Sequence, residues 1–352
     1  MASYDSMSEM LEAYIVYDGH RLASTIELGV DNYRSLLFNK PSSLALLAEV
    51  GTRNNLLRLH GLQVANEEEH ISTEYIVCVF QTDVVLLYKL RKANVWLRNS
   101  SKPVYTVVKN SVNNRKIRKV RQVAIRAIYA LGLDYGVVKC GVKRGRDVVI
   151  LNLFVDIVLN KRMLHAFKQA LYKQVQSFYL AEQKPRNLLL GCDLEFILKK
   201  PEGELALASN YFPIYGHVGC DNVGLGQRRD QKPIGELRPK PARTTSLLVL
   251  EIYNCLSEAM HRTRNTAVNF LAGAMPLPGF PLGGHIHFSG LELDFHLLRA
   301  LDNYLALPCI LLEDEASIAR RPKYGFLGDF RHQRHGGFEY RVLSSWLHTP
   351  EL

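Results

Sequence analysis

"GGHIHF", residues 283–288, is the stretch from which the fold of this chain can be worked out, because it sets His285 and His287 two residues apart behind a glycine pair. In a β-strand, side chains at positions i and i+2 point to the same face of the sheet. The two imidazoles are therefore expected side by side. Taken alone, the pair fits a zinc site, two core histidines or a rarer kind of site, so the surrounding sequence has to decide.

The same spacing recurs in three other segments of the second half. Each of these segments carries a pair of ionisable side chains: Asp193 and Glu195 in GCDLEF, Glu236 and Arg238 in GELRP, and Glu339 and Arg341 in GGFEYR. A solvent-facing strand would carry mixed Lys, Thr, Ser and Gln instead. The pattern predicts four strands, each with a polar pair on one face and apolar residues on the other.

The chemistry of these side chains points to metal and phosphate. Carboxylates and histidine around a concavity bind divalent cations, and arginine holds phosphate through paired hydrogen bonds. Several carboxylates with one or two histidines favour Mg²⁺ or Mn²⁺ over zinc. The pattern therefore indicates ATP chemistry, in which metal ions bridge the phosphates and arginines stabilise the transferring phosphoryl group.

More arginines follow in the same half. Arg320 and Arg321 close a predicted helix, and Arg331 lies in a glycine-punctuated loop eight residues before Glu339. A basic pair at a helix C-terminus also fits simple stabilisation of the helix dipole. Both interpretations stay open for Arg320 and Arg321.

Composition indicates a globular protein of two domains. The 352 residues are 47% hydrophobic and 22% charged, which suffices for two buried cores. No apolar run reaches 18 residues, and the N-terminus lacks the basic-then-apolar order of a secretory signal. A cytoplasmic location without a membrane partner is therefore expected. Six cysteines without a C-x-x-C pair argue against a disulfide framework and a zinc knuckle.

A basic segment contributes strongly to the net charge of +10. From Lys89 to Arg146, Asp134 is the only acidic residue. Such a segment can bind nucleic acid. No stacking pattern of interleaved aromatic residues and no helix-turn-helix order accompanies it, however. A solvated face, or one that attracts anionic substrates, is the preferred interpretation, and nucleic acid is not the expected partner.

Hydrophobic periodicity divides the chain into an α/β first half and an α+β second half. Helices are predicted at 116–131, 161–180, 244–262 and 294–319. Strands are predicted at 75–80, 84–88, 104–108, 137–142 and 148–155, and then at 188–198, 234–238, 284–289 and 337–343. The polar stretch AEQKPRN, 181–187, ends a helix and places the boundary near residue 186, giving domains 1–186 and 187–352. The Gly-, Asp- and Arg-rich loop 216–233 is predicted to be functional.

Five ordered motifs in the second half resemble the phage-type COOH-NH2 ligases (amidoligases), part of the broader glutamine-synthetase and γ-glutamylcysteine-ligase-like carboxylate–amine ligases. They are GCDLEF, GELRPKP, GGHIHFSG, RRPKYGFLGDFR and GGFEYRVLSSWL, and the resemblance covers residues 188–352. It implies a curved antiparallel sheet with flanking helices whose concave face holds ATP and Mg²⁺, with Mn²⁺ as the alternative ion. It also implies the reaction: ATP phosphorylates a carboxylate, and an amine attacks the acyl phosphate to give an amide. The substrates would be small molecules or peptides.

The resemblance also implies roles for individual residues. The metal ligands would be Asp193, Glu195, Glu236, His285 and Glu339. The nucleotide would be bound by His287, Arg238, Arg321 and Tyr324. Catalysis at the γ-phosphate or acyl phosphate would fall to Arg320, Arg331 and Arg341. Gly283 and Gly284 are expected to let the backbone pass close to bound phosphate.

The first half resembles the later part of an ATP-grasp domain. The matching segments are EYIVCVFQTDVVLLYKLRK (74–92), WLRN (96–99), ALGLDYGVV (130–138) and VVILN (148–152). Ile76 stands where an arginine is expected, and Ile150 where a metal-binding glutamate is expected. Because isoleucine cannot ligate Mg²⁺, the resemblance implies a degenerate ATP-grasp-like domain. A generic α/β domain is the alternative.

Three functions remain in competition at this point. The leading one is an ATP- and Mg²⁺-dependent carboxylate–amine ligase. The second is a basic nucleic-acid- or peptide-binding protein with an inactive ligase-like domain. The third is a phosphotransferase that uses the same metal site without forming an amide.

Overall fold

A computed structural model describes residues 14–17, 21–29, 35–66, 69–91, 104–109, 114–144, 147–183, 187–226, 228, 230–321, 324–334 and 336–347. The chain forms two compact units, Met1–Lys184 and Pro185–Leu352. The WLRN segment of the first half lies outside the described residues. Among the described helices, none has the length and apolar character that a membrane crossing requires.

The first unit is built on an antiparallel sheet with helices on its faces. Its described strands begin with two short hairpins, β1 (Val16–Tyr17) with β2 (Arg21–Leu22) and β3 (Ile26–Gly29) with β4 (Ser35–Phe38). The main sheet has the order β7-β6-β5-β8-β9, with β5 Thr73–Phe80, β6 Asp83–Arg91, β7 Val104–Val107, β8 Tyr135–Val142 and β9 Val148–Phe154. The helices are α1 (Pro41–Ala48), α2 (Val50–Leu59), α3 (Arg115–Ala130) and α4 (Lys161–Gln183).

Two amphipathic helices cover this sheet. α3 buries Ile117, Val120 and Ala124 at helical spacing, and its N-terminus is capped by Asn114, whose side chain accepts a hydrogen bond of 2.9 Å from the Ile117 amide. α4 buries Phe167 in the core, where its ring meets Tyr135 at 6.3 Å between centroids. The predicted helices at 116–131 and 161–180 are thus confirmed.

The two isoleucines that depart from the ATP-grasp pattern belong to the apolar interior of this unit. Ile150 is 2% exposed, and Ile76 packs against the core that α4 closes. Asp134, the acidic residue of the basic segment, is buried and accepts a hydrogen bond of 2.7 Å from the Asn39 amide. These three positions therefore serve the packing of the sheet.

The second unit is a mixed helix and sheet structure with an antiparallel sheet. Among the described residues the sheet has eight strands, with β12-β13-β10-β15-β17-β16 as its main order, while β11 and β14 also pair with β10. The strands are β10 Leu189–Lys199, β11 Leu205–Ala206, β12 Val218–Cys220, β13 Ile234–Leu237, β14 Asn269–Leu271, β15 Gly284–Ser289, β16 Phe330–His332 and β17 Phe338–Tyr340. All these pairings are antiparallel, as the α+β prediction requires.

The helices of this unit are α5 (Thr245–Thr263), α6 (Phe295–Leu301), α7 (Leu307–Ile310) and α8 (Ala316–Arg320), with a 3₁₀ turn at Ala208–Asn210. The prediction of one helix over 294–319 is wrong. A π-helical turn at Asp302–Ala306 follows α6, and the Leu307 amide bonds to the Asp302 carbonyl five residues back. Pro308 follows at once and has no N–H to continue the regular ladder. The helical residues nevertheless run on to Ile310, and the break comes before Ala316, where α8 begins.

The register of the second sheet gathers the polar pairs on one face. Directly opposed residues in an antiparallel pair share a face. The opposed pairs are Asp193 with His285, Glu195 with Glu236, and both His287 and Arg331 with Glu339. The intervening residues of β10, Leu194 and Phe196 among them, are buried in the core beneath α5. The predicted alternation of a polar and an apolar face is confirmed.

Candidate active site

Two groups of metal-ligating side chains lie on the polar face of the second sheet. In each group the three ligand atoms all lie within 4.8 Å of one another: Asp193, His287 and Glu339 in group one, and Glu195, Asp221 and Glu236 in group two. Four strands contribute to them, because β10 supplies one residue to each group while β13, β15 and β17 supply one each. The sequence-predicted carboxylates are thus brought together, but in two sets.

Group one contains a carboxylate surrounded by cationic side chains. Glu339 is 1% exposed. Its Oε1 atom lies 3.0 Å from Arg341 Nε, and its Oε2 atom lies 3.2 Å from Arg331 Nη1 and accepts a 3.0 Å hydrogen bond from Gln333. Arg331 and Arg341 therefore converge on the metal-type group, Arg331 from the exposed edge of the sheet and Arg341 from a more buried position.

His287 completes group one. Its Nε2 atom lies 3.0 Å from Asp193 Oδ2, yet this buried nitrogen has no aligned hydrogen-bond partner among the described residues. Burial opposes protonation of the ring, but the Asp193 carboxylate outweighs it, so the pKa of His287 lies above its usual value. A buried ring nitrogen beside two carboxylates, without an aligned hydrogen bond, is well suited to ligate a cation.

Group two concentrates negative charge in a buried place. Burial and the neighbouring Asp221 raise the pKa of Glu195 to about 8. Burial and the charge of Asp193 raise the pKa of Glu236 to about 7. Glu195 accepts a 2.6 Å hydrogen bond from the Gly283 amide, and Glu236 contacts Arg238. These three carboxylates repel one another unless they are protonated or share a cation.

Asp221 is a member that the sequence analysis did not predict as a metal ligand. It follows β12 directly, and its amide bonds to the Ile234 carbonyl at 3.0 Å, which holds it against the start of β13. It belongs to the loop 216–233, which was predicted to be functional, and part of that loop is a strand. The triplet Gly-Cys-Asp at 219–221 repeats the triplet at 191–193, and this was the available signal.

His285 lies behind group one instead of inside it. It is 4% exposed; its Nδ1 atom is 3.1 Å from Glu339 Oε1, and its Nε2 atom contacts the Tyr324 hydroxyl. Burial, with Arg341 next in importance, lowers the pKa of His285 well below its usual value. His287, and not His285, thus has its ring nitrogen in group one, and the role of His285 as a metal ligand stays a prediction.

Three further arginines form hydrogen bonds or ion pairs within the protein. Arg320 is 0% exposed and donates to the carbonyls of Leu282 at 2.8 Å, Val342 at 3.0 Å and Leu343 at 2.7 Å. Burial lowers its pKa to about 10. The structure does not place the Arg320 guanidinium in either group, so its contacts are those of a structural residue.

Arg321 and Arg238 are anchored in a similar way. Arg321 pairs with Glu313 and donates to the Gly325 carbonyl at 3.0 Å. Arg238 contacts Glu236 and donates to the Cys220 carbonyl at 2.8 Å. Of the two, Arg238 alone touches a member of the metal-type groups.

The glycine pair that precedes His285 makes room for side chains. A Cβ atom at Gly283 would overlap the His285 ring and come within 2.8 Å of the Tyr324 hydroxyl, and one at Gly284 would overlap the Ser344 carbonyl. The glycines were expected to let the backbone approach bound phosphate. The structure offers a second reason for them, which is the tight packing around His285.

Residues 190–352 match the model of the phage phiEco32-like COOH.NH2 ligase-type 2 family. The second unit is similar to this ligase family over nearly its whole length. The five motifs and both metal-type groups fall within the matched residues.

The comparisons with individual proteins found lower similarity. No curated protein matches the chain. Among solved structures, the chain is similar to the ATP-grasp ligase PsnB complexed with minimal precursor, with 12% identity and a TM-score of 0.30, over 39% of this chain and 64% of that one. It is also similar to the L-amino acid ligase from Bacillus licheniformis, with 8% identity and a TM-score of 0.28, over 65% of this chain and 73% of that one. The chain thus spans 64% of the length of the PsnB chain.

Proposed function

We propose that this protein joins a carboxylate to an amine in a reaction that consumes ATP, requires Mg²⁺ and proceeds through an acyl phosphate. The observation that carries the proposal is the presence of two three-ligand groups on one sheet face, with Arg331 and Arg341 converging on one of them. We also propose that the sheet is of the curved, glutamine-synthetase-like kind.

The residues present fit Mg²⁺. Group two offers three carboxylates and neither sulfur nor nitrogen, which is the ligand chemistry of a hard cation. Group one would hold a second cation through Asp193, Glu339 and the unaligned Nε2 atom of His287. When bound, Mg²⁺ would supply neutralisation of phosphate charge. Mn²⁺ has similar ligand preferences and is the alternative ion.

Arg331 and Arg341 are the best candidates for binding the phosphates. The Arg331 side chain is 56% exposed, so an anion can reach it. The Nε atom of Arg341 is buried and, although it lies 3.0 Å from Glu339, has no aligned hydrogen bond among the described residues. Both guanidinium groups would stabilise charge on a phosphoryl group during transfer.

The test is ADP release and product mass with a panel of amines and carboxylates. Wild-type protein should form an amide, and Glu339→Gln and Glu195→Gln should abolish its formation while the fold is retained. Glu204→Gln is the matched control, because the Glu204 side chain is 70% exposed and, within the described part of the chain, its ion pair is with Lys200 on the surface. ADP release without an amide product would favour a phosphotransferase, and no ATP turnover with any substrate would count against the proposal.

The first unit is proposed to be an ATP-grasp-like domain that has lost its metal site, since Ile76 and Ile150 are part of its apolar interior. An N-terminal unit of this kind would not bind Mg²⁺ through β9. Titration of Mn²⁺ into a Glu195→Gln, Glu339→Gln double variant tests this, because residual binding of one ion would point to a site in the first unit.

A second candidate function rests on the distribution of charge. Residues 1–184 contain 26 Lys and Arg against 16 Asp and Glu, whereas residues 185–352 contain 18 of each, so the net charge of +10 belongs to the first unit. On α3, Arg115, Lys116 and Arg118 are exposed and have no ion-pair partner among the described residues. This arrangement favours nucleic acid as a partner of the first unit.

Binding of single- and double-stranded nucleic acid as a function of salt tests this candidate. Affinity should fall linearly with salt on a logarithmic plot. An Arg115→Gln, Arg118→Gln variant should reduce the slope by about 1 for each phosphate that these arginines neutralise in the wild-type protein. Absent or salt-independent binding would remove the candidate.

A further inference from the structure

The two edges of the second sheet differ. β12 forms one edge and β16 the other. The chain that precedes β12 covers its outer side, since the Cys220 amide donates a 3.0 Å hydrogen bond to the Pro213 carbonyl. A Cβ atom at Gly219 would come within 3.2 Å of that carbonyl and of the Ile214 carbonyl. Within the described part of the chain, β16 pairs with β17 alone. One edge is thus covered, and the other is open to a further strand.

The pairing of β16 with β17 decides which backbone groups are open. The Gln333 amide points to the β17 side, where it donates to the Gly337 carbonyl at 3.1 Å. Successive residues of a strand direct their N–H and C=O groups to opposite sides. Those of Arg331 therefore also face β17, and those of Phe330 and His332 face outward. Among the described residues, these outward groups have no hydrogen-bond partner.

The charge along this edge is positive. Residues 330–334 contain Arg331 and Arg334 and no acidic residue, and both arginines are exposed. The Arg331 side chain is 56% exposed and lies on the polar face beside Glu339. A strand added at the usual spacing of about 4.8 Å would place one of its side chains next to Arg331 on that face. Opposite charges at such cross-strand positions attract, so an acidic side chain fits there.

A second copy of this chain fits the edge poorly. If two β16 strands paired about a two-fold axis in the central register, the two Arg331 side chains would lie directly opposite each other, and like charges in that position destabilise a sheet. A short, charged edge strand also guards a protein against aggregation. That protection works with a charge anywhere along the edge, whereas Arg331 lies on the face that carries group one. Its position favours an anionic ligand that is brought to this group.

We propose that β16 binds an acidic peptide in an extended conformation, as a further antiparallel strand of the sheet, with a carboxylate side chain beside Arg331. The peptide backbone would bond to the outward groups of Phe330 and His332. Its acidic side chain would lie on the polar face, next to group one. The carboxylate substrate is thereby narrowed to an acidic side chain of a peptide, and this last step rests on the proposed function.

The first experiment measures binding of a fluorescent peptide of alternating threonine and glutamate to the full chain, with Mg²⁺ and without ATP. The glutamate peptide should bind more tightly than the matching lysine peptide. Arg331→Gln should weaken binding of the glutamate peptide, whereas Arg264→Gln, at an exposed arginine that follows α5, should not. Equal affinity for the two peptides, or equal affinity of Arg331→Gln and wild type for the glutamate peptide, overturns the proposal.

N-methylation of the peptide tests the mode of binding without changing the protein. When a glutamate lies opposite Arg331, the N–H groups of the threonines point to β16 and those of the glutamates point away. A peptide N-methylated at its threonines should therefore not bind. A peptide N-methylated at its glutamates is the matched control and should bind like the unmethylated one. Equal affinity for the two methylated peptides overturns strand addition.

Addition of ATP and a panel of amines separates this proposal from the proposed function. Mass spectrometry should find an amide on a glutamate side chain of the peptide, and none on the peptide methylated at its threonines. Amide formation on free amino acids alone overturns the peptide proposal and leaves the proposed function standing. Peptide binding in the expected mode without ATP turnover overturns the proposed function and the substrate assignment, while the binding surface stands.

Discussion

Replacement of Glu195 by glutamine tests the electrostatics of the Glu195–Asp221–Glu236 group. In the metal-free protein the pKa of Glu195 is raised to about 8, first by burial and then by the charge of Asp221. In the unfolded chain the same carboxyl ionises near its ordinary value of about 4.3. Between these two pH values the folded state keeps a proton that the unfolded state has released, so stability falls as pH rises.

The size of the effect follows from the shift. When the folded and unfolded states differ by one bound proton, the free energy of unfolding changes by about 1.4 kcal/mol for each pH unit. From about pH 4.5 to about pH 8, the metal-free protein should therefore lose about 4 to 5 kcal/mol through Glu195. This is an upper value, because the three carboxylates share protons and do not titrate separately. A glutamine resembles the protonated acid and can still accept the hydrogen bond from the Gly283 amide.

The assay is urea unfolding in the presence of a chelator at several values of pH from 5 to 8. The chain has two tryptophans, and Trp346 lies in the second unit, where its indole donates to the Gly284 carbonyl at 3.2 Å. A Trp96→Phe background therefore makes fluorescence report on the second unit. At pH 5 Glu195→Gln should match wild type, and at pH 8 it should be more stable by several kcal/mol. A difference that does not change with pH would refute the reasoning.

Three other predictions concern the same unit. Mg²⁺ should raise the stability of wild type most at pH 8, where group two is most charged, and a Glu236→Gln variant should gain less in the same titration. Arg320→Met should lose about 3 kcal/mol in urea unfolding, because three hydrogen bonds from the buried guanidinium to carbonyls are lost at about 1 kcal/mol each; unchanged stability would contradict the structural role of Arg320. Gly219→Ala should displace the Arg238 guanidinium, which a Cβ atom there would overlap, and speed proteolysis near residue 216. Gly29→Ala, where a Cβ atom meets no atom within 4 Å, is the control.

Local patterns predicted much of the fold and of the face that carries the site. The i, i+2 pairs identified β10, β13, β15 and β17 correctly, because alternation along a strand depends only on backbone geometry. The amphipathic helices α3 and α4 were predicted for the same kind of reason. The single helix over 294–319 was not, since the hydrophobic pattern continues through Leu311 and Leu312, where the chain has left the helix between α7 and α8.

The arginines show that a sequence motif does not specify the burial or the direction of a side chain. Arg320, Arg321 and Arg331 look alike in sequence, as cations near a glycine-rich loop. In the structure Arg320 is enclosed and donates to three carbonyls, Arg321 pairs with Glu313, and Arg331 faces Glu339 from an exposed edge. Burial and the direction of a guanidinium group are decided by non-local packing, so the spacing of the residues could not separate the three.

The sequence by itself determined the kinds of groups and the face they share, whereas the tertiary structure decided which of them act together. Asp193 and Glu195 are neighbours on one strand, yet they belong to different groups. The pairing of β10 with β15, and of β15 with β17, brings His287 and Glu339 to Asp193. The pairing of β10 with β13 brings Glu236 to Glu195. Asp221 joins only through the β12–β13 pairing. Register is a property of strand partners far apart in the chain, and a shift of one residue would turn each set of side chains to the opposite face.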